Sequence, residues 1–382
     1  MKVALITRST LHSTPGGDTV QVFQTAQQLR TLGVDADVTP ADAHIDYQQY
    51  DLLHFFNITR PADILRHQRA SGKPSVISTI LVDYSEFDRK HRSGLSGLLF
   101  NLLPADSIEY LKAIARFIRK KDKLNSIEYL WKGQRRSVRE VLNRAAVILP
   151  NSQSEYSRVV KKYGNNVPHI IVPNGINPAL FTDNGSLKDP TLVLCVARIE
   201  GLKNQLNLIR ALNNTRFKLL IIGAHSANQL SYYEQCRKEA AANVEFIDHV
   251  PQHELLAYYQ RAKVHVLPSW FETTGLSSLE AAAMGCNLVI TDKGDTRDYF
   301  GNDAWYCNPL SPESIFQTID EASKQPYRES LRRYILEHCT WQEAASITLS
   351  AYETVLSCNL AKPYQLSPVV PVATARLSVS HI

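Results

Sequence analysis

Short apolar runs that alternate with helical patterns, twice over, constrain this chain more than any other feature. Residues 2–7, 34–38, 51–56, 75–80 and 146–149 each read as a short strand, with helical or irregular segments between them. The first run leads through Gly16-Gly17 into a helical pattern carrying Val20, Phe23, Ala26, Leu29 and Leu32, which is one βα unit. From Ile170 the pattern restarts. Strands at 191–197, 217–222, 244–247, 264–267 and 287–290 alternate with helices near 205–212, 229–242, 253–261 and 276–284. Such alternation argues for an α/β protein built on parallel, doubly wound sheets. The sequence predicts two successive domains, residues 1–172 and 173–340, with a hinge near Val172-Pro173-Asn174-Gly175. A last helix at 341–357 and a loosely ordered tail at 358–382, with Pro363, Pro368 and Pro371, complete the chain.

The 382 residues suit that division, at roughly 150 residues per domain. With 44% hydrophobic and 21% charged residues, disorder, collagen-like repeats and coiled coil are excluded. The cysteines Cys195, Cys236, Cys286, Cys307, Cys339 and Cys358 form no CxxC pair, so zinc-site and thioredoxin-like readings fail on spacing. The apolar run at the N-terminus stops at Thr7-Arg8-Ser9-Thr10, too soon for a secretory signal. The longest nearly apolar stretch, Gly94 to Pro104, is about half of what a spanning helix needs. The expectation is a cytoplasmic protein, at most peripheral to the inner face of the cell membrane.

The densest chemical signal runs from Val266 to Gly285, with Pro268-Ser269-Trp270-Phe271-Glu272-Thr273-Thr274-Gly275 between a strand and a helix rich in strong formers. Ligands of such sheets bind beyond the carboxyl ends of the strands, where helix N-termini point amide groups at anions. The Gly275 and Leu276 amides could hold a phosphate, Glu272 lies in the loop before them, and Glu280 lies one to two turns inside the helix. A second strand-to-helix turn carries Arg198 and Lys203, a guanidinium fork and a compact ammonium suited to a diphosphate.

Together these residues resemble the retaining glycosyltransferases of family 4, over about residues 1 to 357. The resemblance rests on Glu272 and Glu280, Pro268-Ser269, Glu280-Ala281-Ala282 with Gly285, Arg198 with Lys203, Asn174-Gly175-Ile176-Asn177, and Gly16-Gly17. It implies the GT-B fold, with two Rossmann-like domains facing across a cleft and the helix from Trp341 crossing back to the first domain. It implies catalytic roles for Arg198 and Lys203 at the donor diphosphate, stabilising the charge that grows as the sugar leaves. Glu272 would contact the donor sugar or the positive charge at its anomeric carbon, and Glu280 the ribose hydroxyls. Gly275, Leu276 and Thr274 would line the donor site, with Gly16 and Gly17 closing over it. Neither a metal nor a cofactor is implied; the nucleotide-sugar donor is a substrate, and the leaving phosphate takes the acceptor proton. The acceptor would be a glycan or lipid-linked glycan, as in cell-surface polysaccharide or lipopolysaccharide assembly.

Three departures bear on the site. The family's histidine after the strand at 75–80 is absent; the chain continues Leu81-Val82-Asp83-Tyr84, which makes Asp83 and Tyr84 acceptor-side candidates. His54 ends a strand at the same edge and is a third candidate, set against the reading of a buried, satisfied histidine. The family's aromatic residue before Gly275 is Thr274, and its doubled glycine after 288–290 is Gly294-Asp295-Thr296. Asp35-Ala36-Asp37 has the form of a metal-binding pair but falls within a strand of alternating pattern. No GxGxxG and no Walker loop occurs, which leaves hydride transfer and ATP hydrolysis without support. The alternatives are a GT-B epimerase or phosphorylase, or an inactive membrane-associated scaffold.

Between Asp106 and Arg144 lie eleven basic and five acidic residues, a surplus of six that exceeds the +5 of the whole chain. Apolar Leu95, Leu98, Leu99 and Phe100 precede it. Residues 94–144 are therefore a candidate contact with an anionic membrane, set against the reading of an ordinary amphipathic helix whose apolar stripe faces the core. A nucleic-acid partner is not expected, because no aromatic stacking platform accompanies the charge.

Overall fold

The structure, a computed structural model, describes residues 1–11, 16–84, 86–88, 106–108, 110–111, 128–164, 167–182, 185 and 187–360. In the first half, β1 (Lys2–Thr7), α1 (Gly17–Thr31), β2 (Asp35–Pro40), β3 (Leu52–Phe56), α2 (Pro61–Ser71), β4 (Ser75–Ser78), α3 (Glu128–Arg144), β5 (Val147–Leu149) and α4 (Gln153–Tyr163) follow one another. In the second half come β6 (Asp189–Val196), α5 (Gln205–Leu212), β7 (Lys218–Ile222), α6 (Leu230–Glu239), β8 (Val244–Ile247), α7 (Gln252–Arg261) and β9 (Ala262–Leu267). There follow α8 (Leu276–Ala283), β10 (Asn287–Ile290), α9 (Thr296–Phe300), β11 (Trp305–Tyr306), α10 (Pro312–Lys324), α11 (Glu329–His338) and α12 (Trp341–Leu360).

Both sheets are parallel. The first has the order β2-β1-β3-β4-β5, the second β11-β10-β9-β6-β7-β8. Each order reverses direction once, between β1 and β3 and between β6 and β9, and a crevice opens at each reversal because the flanking loops leave on opposite faces. The strand at the far edge, β11, has only two residues and escapes a reading based on apolar periodicity. Asp35 and Asp37 stand on β2 with the Lys2 ammonium 3.4 and 3.5 Å from them, and the Tyr50 hydroxyl donates to Asp37. Their charge is met within the fold.

The second sheet packs one large core around Leu194, Val264, Val266, Leu279 and Leu288. The first sheet has a core on each face. One of these contains Trp341, Ala344, Ala345, Ala351, Tyr352 and Val355 of α12 together with Val3, Leu5, Val22 and Leu52, so the last helix packs against the first sheet. His54 is fully buried in that packing, hydrogen bonded through Nδ1 to Tyr352 Oη (2.6 Å) and through Nε2 to Ser78 Oγ (2.9 Å). Burial lowers its pKa to about 3, so it is a neutral tie between strand and helix. Of the two readings of His54, the structure has the buried, satisfied one: no atom of it is exposed. The helix also runs three residues past the expected 357, and residues 361–382 of the expected tail lie outside the described residues.

Two chain segments pass between the halves side by side. Ile176 N donates to Cys339 O (2.9 Å) and Trp341 N to Ile176 O (3.1 Å). Gly175 is required here by space alone: a Cβ would lie 2.2 Å from the Thr340 carbonyl carbon. Thr274, expected at the donor, belongs to this junction. It is buried, its Oγ1 accepts from Asn174 Nδ2 (3.0 Å) and donates to Tyr299 Oη (3.3 Å), and Tyr299 donates onward to Asn151 O (2.8 Å). Among the described residues no helix is long and apolar enough to cross a membrane.

Candidate functional site

Arg198 and Lys203 follow β6, and Glu272 and Gly275 follow β9; these strands are neighbours at the switch point of the second sheet. The topology thus brings together two loops separated by some 70 residues of sequence, as doubly wound sheets do for their ligands. The short turn Gly201–Lys203 aims Lys203 inward, and Asn204 then takes the left-handed conformation (φ 60°) to start α5. Asn204 is buried and donates to Pro268 O (3.1 Å) and Pro309 O (2.8 Å), fixing the basic loop against the acidic one. Trp270 N donates to Leu202 O (2.9 Å), a second tie.

Glu272 Oε1 accepts from Lys203 Nζ at 2.6 Å and from Ser269 Oγ at 2.5 Å. Lys203 is only 18% and Glu272 only 8% exposed at the side chain, so the pair is largely shielded from water. The Glu272 backbone is held from the other side: its amide donates to Lys293 O (3.1 Å), and its carbonyl accepts from Asp295 N (2.9 Å). Between those bonds Gly294 has φ +93°, and a Cβ there would lie 2.0 Å from Glu272 O. Where the family doubles its glycine, one glycine supplies the contact here.

Gly275 caps α8 with φ +74°, a conformation that costs little only for glycine, and the first amides of the helix point beyond the strand ends. Leu276 opens the helix, packed against both the second core and the first. Glu280 is buried behind that terminus. Gln252 Nε2 donates to its Oε1 (2.6 Å) and Tyr259 Oη to its Oε2 (2.9 Å), and burial nevertheless raises its pKa to about 7. Arg198 is half-exposed, with Nη2 3.1 Å from Glu200 Oε1. A Cβ built on Gly16, across the cleft, would lie 4.0 Å from Arg198 Nη1, so the glycine loop after β1 faces this guanidinium. Gly16 accepts nothing through a side chain but anchors α1 by donating its amide to Thr19 Oγ1 (3.0 Å). Gly17 is the first residue of α1 and has open space around it.

Asp83 and Tyr84, expected on the acceptor side, lie on the chain after β4, the latter 40% exposed. Glu155 organises its start: fully buried on α4, it accepts from Thr79 Oγ1 (2.5 Å), Leu81 N (2.7 Å) and Asn151 N (2.8 Å). Burial raises its pKa against the pull of those donors. Ile80 between them has φ +44°, a strained state for a β-branched residue. Downstream, Glu86 meets Lys293 (3.0 Å), and the Phe87 ring lies against Gly201, where a Cβ would come within 2.6 Å. Glu86 and Phe87 thus reach the loops after β10 and β6 directly. Sequence reading missed Asn204, Glu155, Arg158 and Lys293; an asparagine before a helix start was the one available signal, the others being charged residues on ordinary-looking helices and loops.

Residues 177–338 match the family model described as Glycosyl transferases group 1. A glycogen synthase of Mycobacterium tuberculosis is 28% identical over 216 residues, covering 53% of this chain and 52% of that protein. The chain therefore spans about half the length of such curated relatives. A D-inositol 3-phosphate glycosyltransferase of Pseudarthrobacter chlorophenolicus is 27% identical over 270 residues, 63% of each chain. Among solved structures, sucrose-phosphate synthase from Thermosynechococcus elongatus superposes with a TM-score of 0.73 at 14% identity, covering 94% of this chain and all of that one. Anabaena HepE in complex with UDP and glucose gives 0.61, also at 14% identity and 94% coverage.

The molecule has the GT-B fold of these glycosyltransferase structures. Within it, the segment similar to the group 1 model contains β6 and β9, and with them Arg198, Lys203, Glu272 and Glu280.

Proposed function

We propose that the protein is a glycosyltransferase that moves a sugar from a nucleoside-diphosphate sugar to an acceptor hydroxyl, with retention of configuration. The observation that carries this reading is the shielded Lys203–Glu272 pair, 2.6 Å apart, directly before a glycine-capped helix N-terminus at the switch point. Lys203, Arg198 and the α8 amides form a positive pocket for a diphosphate leaving group. Glu272 sets a carboxylate beside that pocket for a sugar carbon that gains positive charge. Glu280, behind the helix start and kept partly protonated near neutrality by burial, suits hydroxyl pairs of a ribose. The similarity to the group 1 model and to relatives named as glycosyltransferases supports the same reading.

Asp83 and Tyr84 are proposed to face the acceptor, a glycan or lipid-linked glycan of cell-surface polysaccharide assembly. The basic surplus near 106–144 supports a peripheral membrane setting; residues 112–127, with most of that charge, lie outside the described residues.

The test is nucleotide release from UDP-, GDP- and ADP-glucose, with and without glycan, glucose 6-phosphate and lipid-linked sugar acceptors. Release that requires an acceptor, and a product anomer matching the donor, is the expected result. Release with no acceptor requirement would favour an epimerase or phosphorylase, and no release with any donor would contradict the reading.

A further inference from the structure

The acceptor-side domain reaches into the donor site through one guanidinium. Arg158, on α4, grips Asp295 with both Nη atoms, Nη1 to Oδ1 and Nη2 to Oδ2 (2.9 Å), and the Asp295 side chain has no exposure. The same guanidinium carbon stands 5.0 Å from the centroid of the Phe271 ring. Its Nη2 also lies 3.4 Å from Leu81 O. These contacts fall on three loops with one thing in common. Phe271 immediately precedes Glu272, Asp295 follows the Gly294 that is laced to the Glu272 backbone, and Leu81 begins the segment that carries Asp83 and Tyr84. Glu155, one turn before Arg158, holds Thr79 and Leu81, so a single helix face orders the acceptor segment and touches the catalytic loop.

Ordinary domain adhesion does not account for this pair. Ser154 with Asp298 and Glu86 with Lys293 already bridge the halves at more exposed positions, where ionic contacts are screened and contribute little. Burying the Asp295 carboxylate against a guanidinium whose side chain stays 23% exposed carries a desolvation cost that an apolar residue of the same size would avoid. What the fork provides instead is direction: two parallel hydrogen bonds admit one relative placement of the domains.

We infer that Arg158 is a positioning residue that sets the Glu272 carboxylate only when the two domains are closed. It couples the acceptor segment to the donor chemistry, so a loose or open cleft leaves Glu272 out of register. The inference rests on the transferase reading for its consequence, and on the contacts of Arg158 for its geometry.

The experiment uses full-length Arg158→Gln, Arg158→Lys, Asp295→Asn and the Arg158→Gln/Asp295→Asn double variant, with UDP-, GDP- and ADP-glucose as donors and glycan, glucose 6-phosphate and lipid-linked sugar as acceptors. For Arg158→Gln, kcat falls about a hundredfold while the donor KM stays within about twofold, since misplacement costs rate rather than binding. Arg158→Lys, which keeps charge but loses the fork, recovers about a tenth to a third of the parent rate. The double variant is no slower than the slower single one, because the two residues act as a unit. Hydrogen exchange rises at 270–273 and 293–296 in Arg158→Gln and stays unchanged in β1 and β6. An unchanged kcat, or a loss shared equally by kcat and by overall thermal stability with full additivity, overturns the proposal. If the parent turns over none of the donors, the transferase reading fails and exchange decides alone: unchanged exchange at 270–273 overturns the role of Arg158.

Discussion

Lys203 Nζ and Glu272 Oε1 are 2.6 Å apart, although their loops belong to different strands of the second sheet. The cation assigned to the diphosphate and the anion assigned to the sugar are therefore each other's partner in the free protein. In the proposed reaction a bound diphosphate competes with Glu272 for the ammonium, and the carboxylate it releases is the one proposed to face the anomeric carbon. On that proposal donor binding and exposure of the Glu272 carboxylate become one event.

Gly294→Ala separates backbone conformation from close approach. At φ +93° the Cβ meets Glu272 O at 2.0 Å, whereas Gly72 has a left-handed φ of +62° and nothing within 4 Å. Gly72→Ala should cost about 1 kcal/mol of stability through strain alone. Gly294→Ala should cost about 2–4 kcal/mol, since the backbone of the Glu272 loop must move as well. Denaturant unfolding of both variants checks this, and turnover should fall at least tenfold only in Gly294→Ala. Equal effects at the two glycines would contradict the lacing of Gly294 to Glu272.

Glu280 sets a pH dependence whose sign follows from its burial. The folded protein keeps the carboxyl proton up to about pH 7, whereas the unfolded chain releases it near 4.5. Between these values the folded state binds more protons, so stability falls as pH rises and the full penalty is felt above pH 7. It amounts to roughly 3 kcal/mol at most. Glu280→Gln, which cannot ionise, should match the parent near pH 4.5 and exceed it in stability at pH 8. Thermal unfolding from pH 4.5 to 8 reads the difference directly; a difference independent of pH would show that Glu280 titrates as an ordinary surface acid.

Much of this site was legible because strand ends are legible. Continuous apolar runs located β6 and β9, and in a doubly wound sheet the residues just past a strand end fall at the crevice, so Arg198, Lys203, Glu272 and Gly275 came out together. The two-residue β11 left no periodic trace. Pairing across the domains left none either. Arg158 lies in Gln-Ser-Glu-Tyr-Ser-Arg, which reads as a solvated helix, and only the folded chain brings Asp295 beneath it. Thr274, read as a donor residue, and His54, read either as an acceptor-side candidate or as a buried, satisfied histidine, show a related reason: a polar residue at a strand or helix end looks the same in sequence whether it faces a ligand or closes a buried network. Their partners, Asn174, Tyr299 and Tyr352, lie about 100 residues away or more for all but one.

The central claim is that the switch point of the second sheet takes a nucleoside diphosphate through Lys203, and calorimetric titration tests it most directly. UDP, GDP and ADP are titrated into the parent, into Lys203→Ala, and into Lys324→Ala, whose ammonium pairs with Asp320 at an exposed site. At least one nucleotide should bind the parent, Lys203→Ala should weaken it about tenfold or more, the loss of one charge-assisted hydrogen bond, and Lys324→Ala should leave it unchanged. Binding of none of the three by the parent, or equal binding by Lys203→Ala, would contradict the account.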